Sequence, residues 1–236
     1  MIEFHCHILP GIDDGSKSRD MSVEMIREEI NQGVSHIVAT PHFYANQDSV
    51  ERFLERRAAS FEKLHNRLID EQIDIPMSVG AEVYYFGGIG KAEMVQKLCY
   101  TDTNILLLEM PFVQWQSQMY QDVKMLVEKQ KLTLIMAHVE RYIEFQKDKS
   151  VWEAIFDLPV YPQINTGDFL TWKKRGKCLK LIKEGYDVLL GSDCHNMSSR
   201  MPNMAAGREV IAKKLGADTL AAIDSRGERL LVDSKK

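Results

Sequence analysis

A parallel α/β barrel of seven strand–helix units, folded as a single domain, is what this sequence predicts. Short apolar runs alternate with longer amphipathic ones through all 236 residues, the pattern of parallel strands joined by crossover helices. No hairpin signal interrupts the alternation. Histidines and carboxylates fall at the C-terminal ends of several different runs, where barrel enzymes carry their chemistry. An open doubly wound sheet would gather them at one switch point instead.

The first run, MIEFHCH (1–7), ends on His5 and His7; strand alternation turns both to one face and Cys6 to the other. Asp14 follows in the loop PGIDDG. The stretch 18–33 is helical, with Val23, Ile26 and Ile30 at helical spacing and Gly33 where a helix ends. SHIVATPH (35–42) is a strand ending on His42. The segment 48–72 is a long helix, because Val50, Phe53, Leu54, Ala58, Phe61, Leu64 and Leu68 share one face. MSVGAEVYY (77–85) carries Glu82 late in its run, NILLLEM (104–110) ends near Glu109, and LTLIMAH (132–138) ends on His138. VYPQINTG (160–167) and YDVLLGSDCH (186–195) complete the set, the last bearing Asp193 and His195. Further helices are expected near 117–130, 148–157, 173–184 and 203–215.

Composition excludes several classes of function. The chain is 44% hydrophobic and 27% charged, as a globular protein with a sizeable core should be. Thirty basic residues stand against 34 acidic ones, scattered rather than clustered, which leaves no footprint for nucleic acid. Cys6, Cys99, Cys178 and Cys194 lack the paired spacing of a disulfide framework or a four-cysteine zinc site. No apolar run approaches a membrane span of roughly 20 residues. The first strand begins at Ile2, which leaves no room for a signal peptide, and a cytoplasmic protein is expected.

His5, His7, Asp14, His42, Glu82, Glu109, His138, Asp193 and His195 therefore form one candidate ligand set at one barrel mouth. A single histidine at a strand end is usually ordinary packing; five of seven at equivalent positions are not. His36 and His65 fall outside the pattern and are read as ordinary. Nine ligands suit a cluster of up to three divalent ions, and mixed imidazole and carboxylate donors suit manganese, iron or zinc. Such clusters make hydroxide from water and clamp the oxygens of a phosphate ester. Arg141 and Arg200 follow ligand-bearing runs and should rim the same mouth. Their guanidinium forks match phosphate.

The motifs FHCHILPGIDDG, ATPHF, GAEVYY, LLEMP, AHVERY and QIN, with SDCHN before Arg200, resemble the polymerase and histidinol phosphatase superfamily. HILPGIDDG and AHVERY resemble, more narrowly, its bacterial tyrosine phosphatases of capsule and exopolysaccharide operons, the CpsB/CapC type. The resemblance implies a distorted, TIM-like barrel of seven strands and a trinuclear, often manganese, centre. It implies that the nine residues above are the metal ligands and that Arg141 and Arg200 are catalytic. The implied substrate is phosphotyrosine on the tail of a bacterial tyrosine kinase at the cytoplasmic membrane. In that branch an Asp is common two residues before the first histidine, where this chain has Glu3.

Four rivals are weaker. An amidohydrolase also opens with His-x-His but wants a lysine on the fourth strand and a histidine on the sixth, where this chain offers Glu109 and Asn165. A small-molecule phosphatase such as a histidinol phosphatase would keep the metal set without the branch motifs. CHNMSSR (194–200) has the Cys-x5-Arg spacing of cysteine-dependent phosphatases, yet lacks the glycine that lets backbone amides curl round phosphate. A metal-binding scaffold without activity would have to explain a complete ligand set and both arginines.

Overall fold

The computed structural model describes residues 1–235. Its strands, in chain order, are β1 (Ile2–Cys6), β2 (His36–Ala39), β3 (His42–Phe43), β4 (Met77–Val79) and β5 (Glu82–Tyr84). They continue with β6 (Ile105–Glu109), β7 (Thr133–Met136), β8 (Val160–Asn165) and β9 (Leu189–Gly191). All pair in parallel, in two sheets ordered β1-β2-β4 and β3-β5-β6-β7-β8-β9.

The two sheets are arcs of one ring. Two of the seven predicted runs are each broken in the middle, and each half joins a different arc. Pro41 separates β2 from β3, since proline has no N–H to donate to a ladder. Gly80 and Ala81 separate β4 from β5. Hydrogen bonds from Gly80 N to Ala39 O (2.8 Å) and Glu82 N to Pro41 O (3.0 Å) carry the pairing across both breaks. The ring closes where the last run meets the first: Asp193 N donates to His5 O (2.7 Å) and His7 N to Cys194 O (2.9 Å).

One side of the ring is open between β4 and β6, and Tyr100 fills it. Its buried hydroxyl donates to Phe4 O across the barrel (2.7 Å), while its own N–H donates to Ile105 O (2.8 Å). Gly80 admits the ring: a β-carbon there would lie 2.4 Å from Tyr100. That departure from a regular barrel is the distortion expected.

Alternation on the strands separates two apolar layers. Ile105, Leu107, Ile135, Ala137 and Leu189 meet Phe4, Val38 and Tyr100 inside the ring. Leu106, Leu108, Leu134 and Met136 face outward into the larger core shared with the helices. Glu109 comes two residues after Leu107 on the inner face, and Glu82 pairs with Leu107 across the sheet, so the polar mouth sits directly on this apolar plug.

The outer helices are α1 (Arg19–Asn31), α2 (Val50–Asp70), α3 (Ser117–Glu128), α4 (Ser150–Phe156), α5 (Thr166–Leu170), α6 (Trp172–Lys183), α7 (Met204–Leu215) and α8 (Ala217–Asp233). Ser18 and Ser49 cap α1 and α2, accepting from Met21 N and Arg52 N (3.2 Å each). The short α5 and the long α8 were not expected. Gly227 allows α8 to lie on β1, because a β-carbon would approach the Phe4 ring to 2.8 Å. Among the described residues no helix is long and apolar enough to cross a membrane.

Candidate metal centre

β1 delivers the first pair as alternation requires. His5 and His7 are fully buried with their Nε2 atoms 3.2 Å apart, while Cys6 turns away toward Val38 O. The Asp13-Asp14-Gly15 loop then folds back on His7. Ser16 N donates to His7 O (2.9 Å), and Gly15 packs so closely that a β-carbon would stand 2.3 Å from that oxygen. This fold sorts the two aspartates. Asp13 turns inward and Oδ2 meets His7 Nδ1 at 2.8 Å, whereas Asp14, with a side chain 63% exposed, reaches over the mouth. Asp14 Oδ1 lies 3.3 Å from Nε2 of both His42 and His195.

Glu82 is the hub. Its Oε2 stands 3.2 Å from His5 Nε2, 3.2 Å from His7 Nε2 and 2.9 Å from His42 Nδ1, and its Oε1 lies 3.0 Å from His138 Nε2. His42 and Glu82 are partners in the β3–β5 register, so the break at Pro41 is what aims His42 inward. Glu109 Oε1 lies 3.6 Å from His138 Nε2. Asp193 Oδ1 is 3.5 Å from both His5 and His7 Nε2 and 3.6 Å from His195 Nδ1. All nine sequence-predicted residues thus come together.

Three of them arrive differently from expectation. β7 stops at Met136 and β9 at Gly191, so neither His138 nor Asp193 and His195 lie on a strand. His138 (φ 32°) and Asp193 (φ 53°) take left-handed backbone, which costs a residue with a β-carbon about 1 kcal/mol or more. Neighbours hold both: Gln163 Oε1 accepts His138 N (2.8 Å), and His5 O accepts Asp193 N.

The donor set fits divalent metal. Glu82 Oε2, His42 Nδ1, Glu109 Oε2 and His195 Nε2 are buried without a hydrogen-bond partner, an arrangement a cation would relieve. The 2.9 Å approach of His42 Nδ1 to Glu82 Oε2 lacks hydrogen-bond geometry, so both count as unpartnered. Three overlapping groups each bring their donor atoms within 4.8 Å of one another: His7, Asp14, His42 and His195; His5, His7 and Asp193; His42, Glu82 and Glu109. Ligands bonded at about 2.0–2.2 Å to one ion stand roughly 3–3.5 Å apart. The distances here match that.

Charge in the cluster is uneven. Burial, reinforced by the Glu82 and Asp193 carboxylates, pushes Glu109 up to about 8. Burial and the neighbouring His7 push His195 down to about 3. Burial also opposes ionisation of Glu82 and Asp193, but His5 acting with His138 and His42 on Glu82, and with Arg141 and His138 on Asp193, holds both below the usual carboxylate range.

Both arginines reach the mouth, and both lean on Asp193. Arg141 Nη2 donates to its Oδ2 and Arg200 Nη2 to its Oδ1, each at 2.7 Å. Their side chains are about one-third exposed, which leaves other guanidinium nitrogens toward solvent. Asn196 holds Arg200 in place: its Oδ1 accepts the backbone N–H of Ser198, Ser199 and Arg200 (2.9, 2.9 and 3.1 Å). Those are amides a phosphate-binding cysteine loop would have to aim at its substrate. Cys194 itself is fully buried, its thiol 3.6 Å from Glu29 on the far side. The Cys-x5-Arg spacing is coincidental.

Supporting residues carried little sequence signal. Asp13 orients His7; Gln163 Oε1 meets His5 Nδ1 (2.9 Å), and Asn165 Nδ2 donates to Asp193 Oδ2 (2.8 Å). Period-two spacing of Gln163 and Asn165 on β8 could have marked them. Nothing local distinguishes Asp13 from Asp14.

Residues 1–231 match the family described as capsular polysaccharide synthesis, CpsB/CapC. The chain belongs to that family. Among CpsB/CapC relatives, tyrosine-protein phosphatase YwqE of Bacillus subtilis is 29% identical over 98% of this chain and 91% of its own length. Tyrosine-protein phosphatase CpsB of Streptococcus pneumoniae is 28% identical over 100% and 97%. A chain from the crystal structures of these two proteins, described as unique metal-dependent tyrosine phosphatases, superposes with a TM-score of 0.85 at 25% identity, covering 100% of this chain and 96% of that one. The barrel also matches an Escherichia coli phosphotriesterase homology protein, with a TM-score of 0.56 at 11% identity over 94% of each chain, which shows shared architecture.

Proposed function

We propose that this CpsB/CapC-family chain is a metal-dependent protein-tyrosine phosphatase. Its substrate would be the phosphotyrosine tail of a bacterial tyrosine kinase that controls capsule or exopolysaccharide synthesis, in the cytoplasm. The observation that carries the reading is the convergence of four imidazoles on Glu82, within a larger set of nine donors. Relatives named tyrosine-protein phosphatase along nearly the whole chain support the substrate class, and the family match over 1–231 supports one catalytic domain.

His5, His7, Asp14, His42, Glu82, Glu109, His138, Asp193 and His195 would hold the metal, and three overlapping donor groups support three ions. Bound divalent ions supply hydroxide from water near neutral pH and neutralise charge on the phosphate. A mixed imidazole and carboxylate shell suits Mn²⁺, iron or zinc ahead of oxygen-loving Mg²⁺, and the resemblance to the superfamily is what favours Mn²⁺ among the three. Arg141 and Arg200 bind the phosphoryl oxygens with nitrogens not spent on Asp193, and stabilise charge there as transfer proceeds. Aromatic side chains flank the cluster on two sides and receive the tyrosyl ring. Tyr44 stands over His42 (5.4 Å between ring centres) beside Tyr84, and Phe112 lies nearly parallel to His138 (6.2 Å, 13°).

The test is hydrolysis of p-nitrophenyl phosphate and of phosphotyrosine peptides after chelation and metal return. Activity should vanish in chelator and recover with Mn²⁺ more than Mg²⁺. Full activity in metal-stripped protein refutes the metal chemistry. A large preference for histidinol phosphate over the peptides moves the chain to the small-molecule class.

A further inference from the structure

Away from the metal cluster, between α4 and α6, lies a cavity of about 140 Å³. Ile143, Trp152, Leu181 and Tyr186 form its walls. The polar groups of those walls are already satisfied, since Trp152 Nε1 donates to Tyr186 Oη at 3.0 Å and the lining Gln146 amide accepts from Trp115 N and donates to Val113 O, so ring faces and aliphatic carbon dominate what an occupant meets. An apolar cavity of about 150 Å³ is large enough to take benzene. This one accommodates a single phenyl ring.

The rim has the opposite character. Lys149, Lys177 and Lys180 stand at the opening, with Glu184 among the lining residues and Glu144 just outside it, a local balance of three cations to two carboxylates on a chain whose net charge is −4. Lys177 pairs with Glu144 at 3.4 Å and Lys180 with Glu184 at 3.5 Å. Both pairs are exposed, the kind that contributes little and yields readily to a better partner. Phenyl-sized apolar walls beneath ammonium groups match one ligand chemistry: an aromatic ring carrying an anion.

We propose that this cavity is a second, non-catalytic binding site for an aryl anion, and that its occupant is a phosphotyrosine side chain other than the one being hydrolysed. The proposal rests on the phosphotyrosine reading above and deepens it. No residue of the metal cluster lines the cavity, so a ring bound there is held and not cleaved. A tail with several phosphotyrosines would then dock at two points, and the second contact becomes intramolecular at high effective concentration.

The test uses the zinc-loaded protein, which is diamagnetic, labelled with ¹⁵N in its indoles. The probe is phosphonomethyl-phenylalanine amide, whose P–C bond resists hydrolysis. The Trp152 indole signal, assigned by its loss in Trp152→Phe, should shift saturably while exposed Trp172 does not respond. In Lys177→Glu/Lys180→Glu the affinity read at Trp152 should fall at least tenfold, with p-nitrophenyl phosphate turnover by the Mn²⁺-loaded variant unchanged. No saturable shift at Trp152, an equal shift with uncharged phenylalanine amide, or an unchanged affinity in the double variant each overturns the proposal. Absent p-nitrophenyl phosphate turnover in the wild type instead overturns the phosphatase reading, in a separate assay.

Discussion

Replacing Asp13 by asparagine should loosen the metal centre without touching any of the nine donors. Asp13 Oδ2 meets His7 Nδ1 at 2.8 Å and accepts His42 N at 3.1 Å, while its Oδ1 accepts Gly15 N at 2.9 Å. Asparagine has one oxygen. Turned toward His7 and His42, it sets its NH₂ against the Gly15 N–H and forfeits that bond, a net loss of about 0.5–1.5 kcal/mol. At His7 the bond survives but loses its charge, falling from about 1.5–3 to about 0.5–1.5 kcal/mol. The total is on the order of 2 kcal/mol, and the His7 share appears as weaker metal binding. Carboxylates that orient a metal-bound histidine typically contribute about 10–100-fold in affinity. Chelator-competition titration of Mn²⁺ should show a drop in that range. Turnover of p-nitrophenyl phosphate should recover at high Mn²⁺, because Asp13 acts through His7. A folded Asp13→Asn protein with Mn²⁺ affinity within twofold of wild type refutes this account.

Arg200→Ala should lower p-nitrophenyl phosphate turnover by ~10²–10³, the usual loss for one preorganised donor to a developing oxyanion; Arg200→Lys should recover only part, because the fork that spans Asp193 and phosphate is gone. Cys194→Ser should keep most activity and trap no phosphocysteine, since the thiol faces Glu29; an inactive Cys194→Ser protein with full metal content would revive the cysteine mechanism. Glu29 offers a pH signature. Burial, with Cys194 beside it, raises its carboxyl well above the usual range. The unfolded chain therefore releases this proton first, near the free-carboxylate value of about 4.3. The stability contribution is complete below that pH and is lost as pH rises toward the folded value. Urea midpoints should decline across that window in the wild type and more shallowly in Glu29→Gln; identical slopes would show Glu29 is not the group responsible.

The candidate donor set was legible because most of its members fall at or near the ends of short apolar runs, and the inward aim of His5 and His7 follows from alternation alone. His138, Asp193 and His195 lie at the mouth but on no strand, and His138 and Asp193 take left-handed backbone. Their left-handed backbone is imposed by Gln163 and by the closure onto His5, contacts 25 and 188 positions distant (163 − 138; 193 − 5) that no local propensity encodes. The breaks at Pro41 and Gly80 were visible as residues yet not as a split ring, because the split depends on Tyr100 arriving from elsewhere to fill the gap. α8 escaped notice although Leu220, Ile223, Gly227 and Leu230 keep helical spacing. A glycine inside that stripe reads as a break until the Phe4 ring beneath it is known. Asp193 binding both arginines was beyond reach for the same reason: the three meet only through folding.

Closure of the ring also sets an order of events during synthesis. Ser192 N donates to both Glu3 oxygens (3.0 and 2.9 Å) across 189 positions, and the groups holding Asp193 and His195 join residues equally far apart. At roughly 5–20 residues per second, His5 and His7 leave the ribosome on the order of 10–40 s before their distal partners are made. A nascent chain therefore lacks two of the nine donors until its last strand is made, and a copy cut short before Asp193 never acquires the two groups that Asp193 and His195 complete.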